Sequence, residues 1–234
     1  MKITHKTLFK ATGLNAESCH GGTGKWNKPH SQKRPGKWMP LIKDIEPCVR
    51  GYHVCEGQQI LKWFHTELYE VEIRGERIKQ DDKIVTEQAR LVRRIKTWNK
   101  RTAGLFACDC AEHVLHLWNK AYPKDNRPAK AIEVSRAYIN SEATEAELSK
   151  ARIAADAAAA AYSAATTARA AYYACDAVYA VDAANAIAAA RATYTFAARA
   201  AACAAYNAAY NAAYNEEQKW QFSHLLKYLN GEIS

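Results

Sequence analysis

The stretch from Ala151 to Asn215 constrains the fold of this chain more than any other segment. Alanine fills 34 of its 65 positions, and it holds neither glycine nor proline. Alanine loses no side-chain entropy on entering a helix, so its preference summed over such a window predicts helix. The thin side-chain coat lets helices approach at the short end of the usual ~8–10 Å spacing. A single helix from Glu145 to Asn215 would be about 105 Å long at 1.5 Å per residue. A compact bundle is therefore expected, with turns at Thr166–Thr167, Asp182–Asn185 and Thr193–Thr195. Near the tract's end, Ala-Ala-Tyr-Asn repeats at 204–207, 208–211 and 212–215. Four-residue spacing puts Tyr206, Tyr210 and Tyr214 in one row on a helix.

The 234 residues suit one large or two small domains and can bury a core without disulfide staples. Met1 to Lys10 is short, polar and basic, unlike a signal peptide. Charged residues such as Arg152, Asp156, Arg169 and Asp182 interrupt the alanine tract, so no membrane span is expected. The seven cysteines are then expected to be reduced thiols in a cytoplasm, bacterial or that of a phage's host. The net charge of +9 is uneven. Residues 1–100 carry 20 Lys/Arg against 11 Asp/Glu, and residues 101–234 carry 13 of each. The basic excess of the first part suits an acidic protein surface or nucleic acid.

Composition divides the chain into a mixed α/β domain over 1–85 and an alanine-rich helical bundle over 86–234. Thr7 to Thr12 and Leu68 to Arg74 read as strands, the second by strict alternation. Ile84–Val85 suggests another, and Gln59 to His65 a short helix after Tyr52–Glu56. Gly, Lys, Pro and Trp crowd residues 20–40, which predicts a basic loop. From Thr86 to Trp98 the apolar positions Ala89, Leu91, Val92, Ile95 and Trp98 suggest a helix. Further helices are expected from Cys108 to Tyr122, from Pro128 to Ile139 and from Glu145 behind the capping box at Thr144–Glu147. A terminal amphipathic helix is expected from Glu216 to Asn230, with Trp220, Phe222, Leu225 and Leu229 inward and Gly231 as its stop.

Several constellations invite a chemical reading. Cys108, Cys110, His113 and His116 fall within nine residues, but their spacing is not a common zinc pattern. Cys19, His20, Cys48, His53 and Cys55 are a second candidate set whose spacing demands nothing. Cys55 with His53, or Cys108 with His113, has the elements of a thiolate–imidazole pair without a recognisable nucleophile context. A nucleotide-using transferase with His53 and Glu70 or Glu72 is a rival reading of the first domain. In the loop, Lys25, Lys28, Lys33, Arg34 and Lys37 interleave with Trp26 and Trp38. Such a mixture supplies charge and aromatic anchors to a protein partner, or phosphate contacts and base stacking to nucleic acid, with Arg90, Arg93, Arg94 and Lys96 extending the patch. The tyrosine row is a further candidate contact. No catalytic residue, metal or cofactor is expected.

Two stretches carry resemblances. Cys108–Leu115, then Tyr122–Pro123 and Asp125–Glu133 with its Arg-Pro-x-x-Ala-Ile-Glu core, resemble the alanine-rich immunity proteins found near bacterial toxins. That likeness covers roughly 88–232. Phe9–Lys10–Ala11, Gly51–Tyr52–His53 with Cys55, and Gly75–Glu76 resemble a small uncharacterised domain of phage and bacterial proteins. The long basic loop departs from that domain's pattern. The resemblance implies binding and not catalysis: an inhibitor that occludes a partner protein, of immunity or phage anti-defence type. The chain is thus expected to be an α+β protein, with a small mixed amino-terminal domain and an alanine-rich antiparallel helical bundle. Its expected partner contacts are the basic loop and the tyrosine row.

Overall fold

The computed structural model describes residues 2–161 and 210–234, and it is a mixed α+β fold. Its two compact units are Met1–Asn99 with Leu226–Ile233, and Lys100–Leu225 with Ser234. The expected turns of the alanine tract, Tyr206, Cys175 and Cys203 lie outside the described residues. No described helix is long and apolar enough to cross a membrane.

The first unit is built on four antiparallel strands: β1 (Leu8–Thr12), β2 (Tyr52–Glu56), β3 (Glu67–Lys79) and β4 (Ile84–Arg94). They close a barrel in the order β1-β2-β4-β3. Alternation sorts the side chains: Tyr69 and Val71 of β3 and Ala89 and Leu91 of β4 join Ala16, Trp26, Val54 and Ile84 in one buried cluster. A 3-10 turn at Gly57–Lys62 follows β2, held by reciprocal bonds between Glu56 and Gln59. Phe64 and Trp98 are both fully buried and stack at 4.6 Å.

Residues 86–94 correct the helix expected from Thr86 to Trp98. They pair along β3 from Tyr69↔Arg94 to Arg77↔Thr86. Ala89, Leu91, Arg90 and Arg93 are individually good helix formers, and the long-range ladder overrides that preference. Opposite charges reinforce the pairing: Arg90 bonds Glu72 at 2.5 Å and Arg93 bonds Glu70 at 2.6 Å.

The second unit contains α1 (Lys100–Ala121), α2 (Arg127–Ile139) and α3 (Glu145–Ala161). A further helix, α4 (Tyr210–Leu229), runs through its last part. On α1 the buried residues Ala103, Ala107, Ala111, Val114 and Trp118 recur at helical spacing. The α1–α2 turn is fixed by two groups. Trp118 Nε1 donates to the Asp125 carbonyl at 2.8 Å, and the Asp125 carboxylate takes both the Arg127 backbone N–H and its guanidinium. Pro128 then sits in the first turn of α2, where no N–H is needed. The expected capping box starts α3: Thr144 Oγ1 accepts from the Glu147 N–H at 3.2 Å, and the Glu147 carboxylate accepts from the Thr144 N–H at 2.8 Å. Ala131 of α2 packs with Leu148 and Ala155 of α3, the small residues filling the contact between helices.

Gly231 stops α4 in the left-handed region at φ 69°, with Glu232 N–H returning to the Lys227 carbonyl at 2.8 Å. In the first unit Asn230 pairs with both backbone groups of Ile3, and the Leu229 carbonyl accepts from Thr97 Oγ1.

Candidate functional site

The basic loop has no strand or helix of its own between Glu17 and Gly51, yet it is tied to the barrel along its length. Along β4, β2 pairs with only the start of the strand, at Ile84–Thr86. The neighbouring stretch of β4 is covered by the loop instead. Gly36, Met39 and Ile42 donate their N–H groups to the carbonyls of Leu91, Ala89 and Glu87 at 2.9–3.0 Å. This contact satisfies a strand edge that would otherwise stay open. Gln88 Nε2 and Tyr52 Oη bond the carbonyls of Met39 and Pro40, and Gln32 Nε2 bonds that of Arg94. Gly36 is required by close approach: a Cβ there would lie 2.2 Å from the Asn27 carbonyl oxygen.

Both loop tryptophans are committed to the fold. Trp26, expected as a contact anchor, is 5 % exposed and part of the barrel core, its N–H donating to Ala16 at 2.9 Å. Its large apolar ring packs in the cluster of Ala16, Val54, Tyr69 and Leu91. Trp38 is half-buried, with the Arg74 and Arg90 guanidiniums 4.2 and 4.7 Å from its ring. Of the expected extension of the basic patch, Arg90, Arg93 and Arg94 instead pair with Glu72, Glu70 and Glu67, while Lys96 is exposed.

The loop's own cations are placed differently. Lys25, Lys28, Lys33, Arg34 and Lys37 are all exposed. The sequence from Ser18 to Lys43 contains no Asp or Glu. Among the described residues these five make no ion pair; Lys28 bonds the neutral Asn15 side chain at 2.7 Å. They are five charges carried along one segment of pinned backbone. Tyr210 and Tyr214 lie on α4, and their side chains fall outside the described set.

The second unit holds a network that sequence reading missed. The rings of His113, Trp220 and His224 stack in parallel, His113–Trp220 at 3.6 Å and Trp220–His224 at 4.9 Å between centroids. Each histidine also meets a carboxylate: His113 Nδ1 lies 2.8 Å from Glu217 Oε2, and His224 Nε2 lies 2.5 Å from Asp109 Oδ2. Arg136 bonds Asp109 at 2.6 Å and Glu112 at 2.5 Å. Burial works against the Arg136 charge, and the Asp109 and Glu112 carboxylates beside it help to raise the guanidinium pKa all the same. The Cys-Asp-Cys-Ala-Glu-His run therefore supplies Asp109, Glu112 and His113 to one polar face of α1, while Cys108 and Cys110 point into the core. Residue spacing shows that Asp109, Glu112 and His113 share a face; the partners from α4, about a hundred residues away, carry no local signal.

The catalytic and metal alternatives meet physical obstacles. Burial pushes the Cys55 and Cys108 thiols up to about 12, and Cys110 well above its ordinary value, so all three stay protonated at neutral pH. His53 accepts the Cys48 N–H at its Nε2, and burial lowers its pKa. Among the described residues no group of three or more His, Cys, Asp or Glu is placed to hold a metal ion. Lys10 has its pKa lowered by burial; it donates to the His53 carbonyl at 3.0 Å and lies over the Trp26 ring.

A family model described as "Imm-5 like putative immunity protein" matches residues 93–228, which span α1, α2, α3 and α4 almost to its end. No curated protein and no solved structure matches the chain.

Proposed function

Because the chain belongs to this Imm-5-like immunity family, we propose that it binds one protein partner and inhibits it by covering the surface the partner works with. The observation that carries this reading is the family match, which takes in the Arg136–Asp109–His224 network and the Asp125–Arg127 turn. Both act as scaffolding. They fix the spacing of helices so that a surface is presented without reorganisation, which limits the entropic cost of association. Occlusion needs no activated nucleophile or metal, and the protonated buried thiols suit it. The partner is then a toxin-type protein in a bacterial cytoplasm, or a host defence protein if the chain acts for a phage.

The test is co-purification of the tagged full chain from cells of its own source. A stoichiometric protein partner, whose activity falls as the complex forms, is the expected result. Recovery of the chain alone at concentrations where it is folded would overturn the proposal.

A further inference from the structure

We infer that the exposed set Lys25, Lys28, Lys33, Arg34 and Lys37 is the docking surface, and that the partner's matching face carries clustered carboxylates. This inference rests on the proposed inhibition of a protein partner, and it lies outside the residues of the family match. Three features support it. The five cations have no ion pair among the described residues, in a stretch without an acid from Ser18 to Lys43. Other basic groups of the same unit are paired with acids: Lys43 with Glu87, Lys79 with Glu56, Arg90 with Glu72, Arg93 with Glu70 and Arg94 with Glu67. The backbone that carries them is fixed by the Gly36, Met39 and Ile42 bonds to β4, so the charges are presented with little ordering left to do. Uncompensated charge on a rigid surface raises the encounter rate with an oppositely charged face and selects against wrong partners.

The same geometry favours a protein face over nucleic acid. Binding of a single strand draws on open aromatic faces for base stacking. Trp26 is buried, and Trp38 holds two guanidiniums against its ring.

The experiment uses the full chain, the loop variant K25E/K28E/K33E/R34E/K37E and a control, K120E/K124E, whose lysines are exposed in the second unit. All three are checked for equal thermal stability. Binding of fluorescent poly-L-glutamate and of a twenty-nucleotide oligo-dT is measured by anisotropy from about 50 mM to about 200 mM salt. The same proteins are used for co-purification. The inference expects poly-L-glutamate to bind the natural chain and the control alike, and the loop variant at least about 10-fold more weakly. It also expects the co-purifying protein to be lost from the loop variant alone. Equal poly-L-glutamate binding by the loop variant overturns the surface, and tighter binding of oligo-dT overturns the class of partner. If the natural chain retains a stoichiometric partner and the loop variant keeps it too, the docking surface fails and inhibition stands. If the natural chain retains none, the reading of inhibition fails, while the anisotropy still reports on the surface.

Discussion

Replacing Asp109 with alanine removes the acceptor that joins α2 and α4 to α1. Its side chain is 15 % exposed and takes Arg136 at 2.6 Å and His224 at 2.5 Å. A hydrogen bond to a charged group contributes about 1.5–3 kcal/mol when buried. Two such bonds would suggest about 3–6 kcal/mol, but two features reduce the loss. Arg136 keeps Glu112, which is 60 % exposed, and water reaches the partly open guanidinium. A loss of about 2–3 kcal/mol is expected, or a fall in Tm of about 4–12 °C for a chain of this size. Urea unfolding followed by circular dichroism measures it, and His224→Ala with the double variant completes a cycle. The coupling should be about 0.5–3 kcal/mol. A D109A loss below about 0.5 kcal/mol, or strictly additive single variants, would refute the claim that this carboxylate clamps the helices.

Further expectations follow from other parts of the fold. Brief alkylation at neutral pH followed by mass spectrometry should modify exposed Cys48 and spare Cys55, Cys108 and Cys110 until the protein unfolds, because burial keeps those thiols protonated. Trp38→Ala should speed hydrogen exchange at the Gly36, Met39 and Ile42 amides with a loss of stability of about 1–2 kcal/mol, since two cation–π contacts and ring burial hold the loop there. Thr144→Ala should cost about 1 kcal/mol by removing the cap of α3, read by chemical denaturation. The Glu147 carboxyl is held below its ordinary value by the Thr144 backbone N–H and hydroxyl. Its contribution is therefore complete above the ordinary carboxyl range and lost as pH falls through the lowered folded value. Acid titration of the natural chain and E147Q should show this difference, with the two converging at the acid end.

Local chemistry explains which parts of the fold could be read from sequence. Thr144–Glu147, Pro128 and Gly231 announce helix ends through atoms within a few residues, and all three hold. The alternation Leu68 to Arg74 likewise marks β3. Thr86 to Trp98 misled because Ala, Leu and Arg favour helix in isolation, and only the ladder to β3 reveals the strand. A period-2 reading of Glu87, Ala89 and Leu91 against Gln88 and Arg90, set beside Glu70 and Glu72, carried the signal. The basicity of the loop was legible, but the fate of its tryptophans was not. Trp26 and Trp38 read alike in sequence, and burial against Ala16 and cation–π contact with Arg74 and Arg90 are tertiary facts. The His113–Trp220–His224 stack joins residues too distant in sequence for any spacing rule.

The most direct test of inhibition is to express the co-purifying protein alone and together with this chain in the same cells. The partner alone should arrest growth or show its activity, and co-expression of the natural chain should abolish that effect at equal partner abundance. The loop variant K25E/K28E/K33E/R34E/K37E should fail to protect. Partner activity that persists in the presence of a folded, stoichiometrically bound chain would contradict inhibition by occlusion.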